Sequence, residues 1–363
     1  MVESVKIIPN KDVLIGRSLG EDIVSENGHF LLKKGMTLSQ WHLDILLSHE
    51  VDEIKVVKKS TVLAGDLIGT WSKEKEEMLH LYRGSVLEIK QLFEAAIMRE
   101  NVDIQDVMKP FTYLLEKVLT RTSIFLELYQ IKGYDEYTYR HSINVGLLAA
   151  TIGKMLGRPE KDVLELGKAG FFHDIGKMKV PKCILNKKGQ LTDNDYMEIK
   201  RHPLYGREIL DKVEGLSEII VQGTLLHHER LDGSGYPFGV KGNDIPFYVQ
   251  VLAVADVYDA ISSDRVYRSR YSPFEALEEL IKDVYRNKLS GEIVLPFVQQ
   301  VINGYINCPV RLENGEEGVL VHLPLEEITR PLIAVGDTYV DLRKERHLTI
   351  KEVILDHVHP AKV

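Results

Sequence analysis

Five histidines dominate the middle of the chain: His141, His173, His202, His227 and His228 are the only ones between residues 81 and 321, out of 13 in all. His173 is followed directly by Asp174 in FFHDIGK, His227 and His228 open the run HHE, and Asp256 sits inside the apolar stretch VLAVADVYDA. Imidazole nitrogen and carboxylate oxygen are ligands that suit Fe, Mn or Zn, and one carboxylate has two oxygens with which to bridge two ions. Five imidazoles and at least two carboxylates exceed the needs of one tetrahedral site. They fit a pair of cations about 3.5–4 Å apart. Taken singly, His141 or His202 reads as an ordinary surface or capped core histidine, and an adjacent HD pair is common by chance. Asp256 is different, because an aspartate in such an apolar run buries a charge at a cost of several kcal/mol unless it is paired or coordinated.

The elements that must position these residues can be read around them. Residues 134–305 read as all-helical and hold all five histidines and both aspartates. Before them, residues 1–60 read as a small β-rich module, with Asn27-Gly28 as a hairpin turn, a short helix over Trp41 to Leu47 and a closing strand at Glu53 to Val57. Residues 61–133 read as a helical connector. Within it Met78, Tyr82, Val86, Ile89, Phe93 and Ala96 recur at steps of three and four, behind a possible N-cap at Ser72. A second helix follows Asp103, with Pro110 setting a boundary or kink before Phe111 to Leu119. The connector either packs on its neighbours or serves as a dimerisation element. Residues 306–363 read as a small β module, with strands at Val319 to Val321, Leu332 to Val335, Tyr339 to Leu342 and Ile350 to Ile354. Asn314-Gly315 and Gly336-Asp337 supply turns between them. The fold class expected is therefore multidomain α+β.

Bulk properties narrow the field. At 363 residues the chain exceeds what one hydrophobic core usually organises. A formal net charge of −8 argues against coating a DNA or RNA polymer, since phosphate backbones are held by surplus Lys and Arg. The two cysteines, Cys183 and Cys308, form no C-x-x-C pair or disulfide framework, which suits a reducing compartment. No apolar run approaches the ~20 residues of a bilayer span, and the N-terminus lacks a signal-peptide layout. A cytoplasmic protein without membrane insertion is expected.

The order H…HD…H…HH…D resembles the HD superfamily of metal phosphohydrolases, and HHERLDGSGYP at residues 227–237 resembles its HD-GYP subgroup. YTYRHSINV around His141, VPKCILNKKGQLT after Val180, KRHPLYGREIL around His202 and ADVYDAISSDRVYR over 255–268 extend the resemblance across 134–305. The resemblance implies an HD-type helical catalytic domain flanked by the two β modules. It implies a phosphodiesterase that hydrolyses cyclic di-GMP to pGpG and/or GMP, with two divalent ions, iron or manganese. One ion would be held by His141, His173, Asp174 and Asp256, the other by Asp174, His202, His227 and His228, with Asp174 bridging. Tyr137 stands where some relatives carry a glutamate for a third metal, so two are expected.

Two cations would lower the pKa of a bridging water and neutralise charge building on the phosphoryl oxygens, so that hydroxide displaces the ribose 3′ oxygen in line. Asp174 and Lys177 are the catalytic candidates, Lys177 pointing the same way as His173 one helical turn later. Arg265 and Arg268 lie three apart and share a face if the helix continues, and the resemblance implies that they grip the second phosphate or a guanine edge, which planar arginine donors suit. Gly233, Gly235, Tyr236 and Pro237 form a loop that lets a ligand approach the backbone, with Tyr236 placed to stack on guanine. Competing readings are a cyclic GMP-AMP substrate, a generic nucleotide phosphohydrolase, a catalytically silent cyclic-dinucleotide sensor, and a scaffold for diguanylate cyclases. A homodimer is the expected assembly.

Overall fold

A computed structural model describes residues 2–8, 14, 19–24, 30–32, 38, 42–43, 46–47, 49, 51–57, 77–91, 104–120, 137–185, 187, 189–262, 273–336 and 338–354. The chain divides into two units, Met1–Glu74 and Lys75–Val363.

In the first unit, β1 (Val2–Lys6) pairs antiparallel with β4 (Glu53–Val57), Val2 opposite Val57 and Lys6 opposite Glu53. Strands β2 (Ile23–Val24) and β3 (Phe30–Leu32) also pair antiparallel. The expected turn at Asn27-Gly28 between them lies outside the described residues. Ile7, Leu14, Leu19, Leu32, Leu43, Leu46, Ile54 and Val56 bury one apolar cluster.

The second unit is mainly helical. Helix α1 (residues 77–91) turns Met78, Tyr82, Val86 and Ile89 inward and leaves Leu87 outside, as the spacing of three and four requires. Ser72, Phe93 and Ala96 lie outside the described residues. Helix α2 (Ile104–Leu119) runs unbroken through Pro110, so the boundary considered there is not realised. Proline removes one main-chain donor, but the buried row Phe111, Leu114, Leu115 and Val118 anchors the helix beyond it.

Helices α3 (Tyr137–Met155), α4 (Glu160–Phe172) and α9 (Phe247–Ser262) form the centre of the unit. Between α4 and α9 in sequence come a 3-10 turn (Ile175–Lys179), α5 (Lys182–Leu185), α6 (Asp193–Ile199), α7 (His202–Leu210) and α8 (Glu218–Leu226). Helix α9 buries Val249, Val251 to Asp256, Tyr258 and Asp259, which explains why its sequence is apolar on nearly every face. Helices α10 (Pro273–Tyr285) and α11 (Gly291–Tyr305) lead into an antiparallel sheet of order β8-β7-β6-β5-β9. Its strands are β5 (Pro309–Leu312), β6 (Glu317–His322), β7 (Leu332–Val335), β8 (Thr338–Asp341) and β9 (Ile350–Val353). Strand β5, absent from the sequence reading, opens on a proline and is four residues long, so its alternation of half-buried and buried positions is too short to be seen locally. Val310, Leu312, Leu320 and Ile333 of the sheet share one apolar cluster with the helices. The fold is α+β, and among the described residues no helix is long and apolar enough to cross a membrane.

Helices α3 and α4 meet backbone to backbone. A Cβ on Gly170 would sit 2.8 Å from both the Gly146 Cα and the Val145 carbonyl oxygen. Neither is a flexible side chain that could turn aside, so the helices themselves would have to separate. Gly170→Ala is expected to destabilise the folded chain by about 1–3 kcal/mol, read as a lower midpoint in urea unfolding at unchanged slope.

Candidate metal centre

Four of the five histidines of the central set reach the site from the end or the start of a helix. His173 ends α4 and Asp174 begins the 3-10 turn that follows. His202 is the first residue of α7, and His227 ends α8 with His228 next to it. His141 lies one turn into α3, while Asp256 projects from α9. His141, His173, Asp174, His202, His227 and Asp256 are buried, and His228 is only slightly exposed.

Three imidazoles are oriented in the same way. His173, His202 and His227 each place Nδ1 against the carbonyl three residues earlier, at 2.6 Å from Gly170, 2.8 Å from Ile199 and 2.9 Å from Thr224. A carbonyl only accepts, so Nδ1–H donates and Nε2 keeps its lone pair. His141 is oriented instead by donating from Nδ1 to Asp259 Oδ2 at 2.7 Å, which turns Nε2 toward the site.

The free nitrogens converge on carboxylates. Asp174 Oδ1 lies 3.2 Å from His202 Nε2 and 3.9 Å from His227 Nε2. Its other oxygen, Oδ2, lies 3.3 Å from His173 Nε2 and 3.6 Å from His141 Nε2. Asp256 Oδ1 is 3.2 Å from His141 Nε2, and Asp256 Oδ2 is 3.8 Å from His228 Nδ1. Ligand atoms of Asp174, His202, His227 and His228 lie within 4.8 Å of one another, and those of His141, His173 and Asp256 form a second such group.

This donor set fits divalent cations. His202 Nε2 and His227 Nε2 face each other at 3.2 Å, two lone pairs with no proton to share between them. Among the described residues, buried His173 Nε2 and Asp174 Oδ1 have no hydrogen-bond partner, a costly state that a cation relieves. Burial pushes His227 well below its ordinary range and takes His228 down to about 3, so both imidazoles stay neutral, as ligation requires. Burial would also depress His141, but hydrogen bonds to Asp256 and Asp259 overcome it and lift the ring to about 9. Burial would raise Asp174, yet His173, Lys177 and His202 hold it well below the usual carboxylate range. The carboxylates therefore call for positive charge at the point where the imidazoles offer lone pairs.

The remaining candidates divide. Lys177 is at the site, its Nζ 2.5 Å from Asp174 Oδ2. It sits on the 3-10 turn rather than on the α-helix anticipated from its spacing. The Tyr236 ring stacks on His228, centroids 4.5 Å apart, and Lys200 Nζ lies 5.3 Å from the ring centre. One face of the ring anticipated for guanine thus covers an imidazole. Gly233 has φ of 79°, and Gly235 could not carry a Cβ, which would come within 2.5 Å of Arg230 N and the His228 carbonyl oxygen. Pro237 follows Tyr236 through a cis bond. Arg265 and Arg268 lie outside the described residues.

Two buried acids were missed in the sequence. Asp259 lies three residues past Asp256 on the same helix face, a spacing that could have drawn attention to it. Glu229, the third letter of HHE, turns inward and accepts main-chain N–H groups from Phe238 (2.8 Å), Gly239 (3.2 Å) and Val240 (3.0 Å). It ties the far end of the glycine loop to the histidine pair.

Helices that bring histidines and aspartates together around a cation-demanding centre define a metal-phosphohydrolase type of domain, and residues 122–292 match the HD domain family. With the HHE–GYP segment in place, the chain belongs to the HD-GYP family. It is 35% identical over 247 residues to a cyclic di-GMP phosphodiesterase of Pseudomonas aeruginosa, covering 68% of this chain and 59% of that protein. A cyclic di-GMP phosphodiesterase of Thermotoga maritima is 33% identical over 225 residues, 62% of this chain and 57% of its own length. A 3′3′-cGAMP-specific phosphodiesterase of Vibrio cholerae is 34% identical over 163 residues, 45% of this chain and 38% of its own length. The chain thus spans less than two thirds of these relatives.

The Glu229 tether has a measurable consequence. In Glu229→Ala, amide exchange at Phe238, Gly239 and Val240 is expected to quicken about tenfold or more, the equivalent of losing one hydrogen bond to a charged group. Protection at the α9 amides serves as the internal control and should not change.

Proposed function

We propose that this chain is a metal-dependent phosphodiesterase that hydrolyses cyclic di-GMP to pGpG and/or GMP. The observation that carries the reading is Asp174, whose two oxygens face two different sets of imidazole nitrogens. His141, His173, Asp174 and Asp256 would hold one divalent ion, and Asp174, His202, His227 and His228 the other, with iron or manganese as the metals. Bound ions supply charge neutralisation at the phosphoryl oxygens and a water of lowered pKa.

Hydrolysis adds water across one phosphodiester: a P–O bond forms, the P–O3′ bond breaks, and the 3′ oxygen takes the proton. Lys177 brings an ammonium to the edge of the site, where it can hold a non-bridging oxygen as well as Asp174. Gly235 keeps the loop main chain against Glu229, and Tyr236 closes over His228, which limits water at the reacting phosphate. Arg265 and Arg268 are assigned to the second phosphate or a guanine, which bidentate donors suit.

The two bacterial relatives named for cyclic di-GMP support this substrate, and the Vibrio relative supports 3′3′-cGAMP as the alternative. A complete set of seven ligand side chains favours an enzyme over a silent sensor. The reading includes a homodimer in the cytoplasm, diguanylate cyclases as partners, and a catalytic region bounded at 134 and 305.

The test is anaerobic purification with metal analysis, then incubation with cyclic di-GMP and with 3′3′-cGAMP and chromatography of the products. Asp174→Ala is expected to lose bound metal and to reduce turnover by more than the roughly 10–100-fold that follows loss of an outer partner alone, with helical circular dichroism preserved. Full activity in that variant refutes the site. Arg265→Ala is expected to raise KM at nearly constant kcat, the pattern of a group that grips ground state and transition state alike.

A further inference from the structure

His141 is held differently from its neighbours. His173, His202 and His227 are aligned by main-chain carbonyls three residues earlier in the chain, which any side chains there would supply. The Nδ1–H of His141 donates instead to Asp259 Oδ2 at 2.7 Å. Asp259 Oδ1 accepts from Asn144 Nδ2 at 2.8 Å, and Asn144 Oδ1 accepts from the Tyr82 hydroxyl at 2.6 Å. Tyr82, Asn144 and Asp259 are all buried, at 2%, 7% and 3% exposure. Tyr82 lies on α1, upstream of the residues that match the HD domain.

We propose that Tyr82, Asn144 and Asp259 are a positioning relay that fixes the ring of His141 and so couples α1 to cation binding by the His141, His173 and Asp256 group. The proposal rests on His141 being a metal ligand. Each link has one polarity. A phenol O–H meets an amide oxygen, the amide NH2 meets a carboxylate, and the carboxylate meets an imidazole N–H. The tyrosine therefore sets which end of the Asn144 amide faces Asp259. An amide turned the other way would present its oxygen to the carboxylate and repel it. Carboxylate on Nδ1–H also raises the basicity of the opposite nitrogen, which strengthens a metal ligand. Drawing α1 away from α3 beyond hydrogen-bond reach would release the amide and, through it, the ring.

The experiment titrates Mn2+ into metal-free wild type, Tyr82→Phe, Asp259→Ala, the double variant and His141→Ala, and records the melting temperature of each metal-free protein. Asp259→Ala should weaken the affected Mn2+ site by about 10–100-fold, and Tyr82→Phe by about threefold or more. The double variant should bind no more weakly than Asp259→Ala, because both substitutions cut one chain. If Asp259→Ala does not fold, Tyr82→Phe in the His141→Ala background replaces it and should cause no further loss. Additive losses, or wild-type Mn2+ binding by Tyr82→Phe with only a lowered melting temperature, overturn the relay. Wild-type binding by His141→Ala would instead overturn the ligand reading on which the relay rests.

Discussion

A buried carboxylate that faces imidazole lone pairs from both of its oxygens is untenable without positive charge, and the architecture of the helical unit follows from that demand. Asp174 sits between His202 and His227 on one side and His141 and His173 on the other. Removing it from water costs free energy that only close positive charge offsets. The packing can tolerate the cost because the surrounding helices are tied together by a large apolar cluster that runs from α1 through to the C-terminal sheet.

The helix ends are put to economical use. A helix leaves its last carbonyls without main-chain donors, and His173 and His227 at the ends of α4 and α8 donate to such carbonyls. The terminal turn is thereby capped, the tautomer is set, and Nε2 is aimed outward into the site by one and the same hydrogen bond. His141, lying within α3, has carbonyls already engaged around it and takes its orientation from a carboxylate of α9. Close contact between α3 and α4 at Gly146 and Gly170 fixes how near the helices that carry His141 and His173 come to each other.

The glycine loop is organised by a residue of the opposite character. Glu229 gathers three main-chain donors, and the absence of a side chain at Gly235 lets the loop lie directly on the backbone of Glu229 and Arg230. Tyr236 then stacks on His228. The loop thus covers the imidazoles and takes its shape from the same short segment that provides two of them. This accounts physically for the run HHERLDGSGYP acting as a unit.

The types and order of the chemical residues were legible in the sequence, because histidines concentrated in one region and an aspartate within an apolar helix carry their meaning in one dimension. The amphipathic face of α1 and four of the five C-terminal strands were legible for the same reason, since periodicity is local. The path of α2 through Pro110 and the pairing of β5 were not, as both depend on neighbours distant in the chain. Asp259, Asn144 and Tyr82 looked like ordinary helix residues, and their roles arise from contacts across 62 to 118 positions. Which oxygen of Asp174 faces which imidazole, and which imidazoles stay neutral, was decided by tertiary structure alone. Those properties belong to distances and burial, and neither exists until the helices have packed.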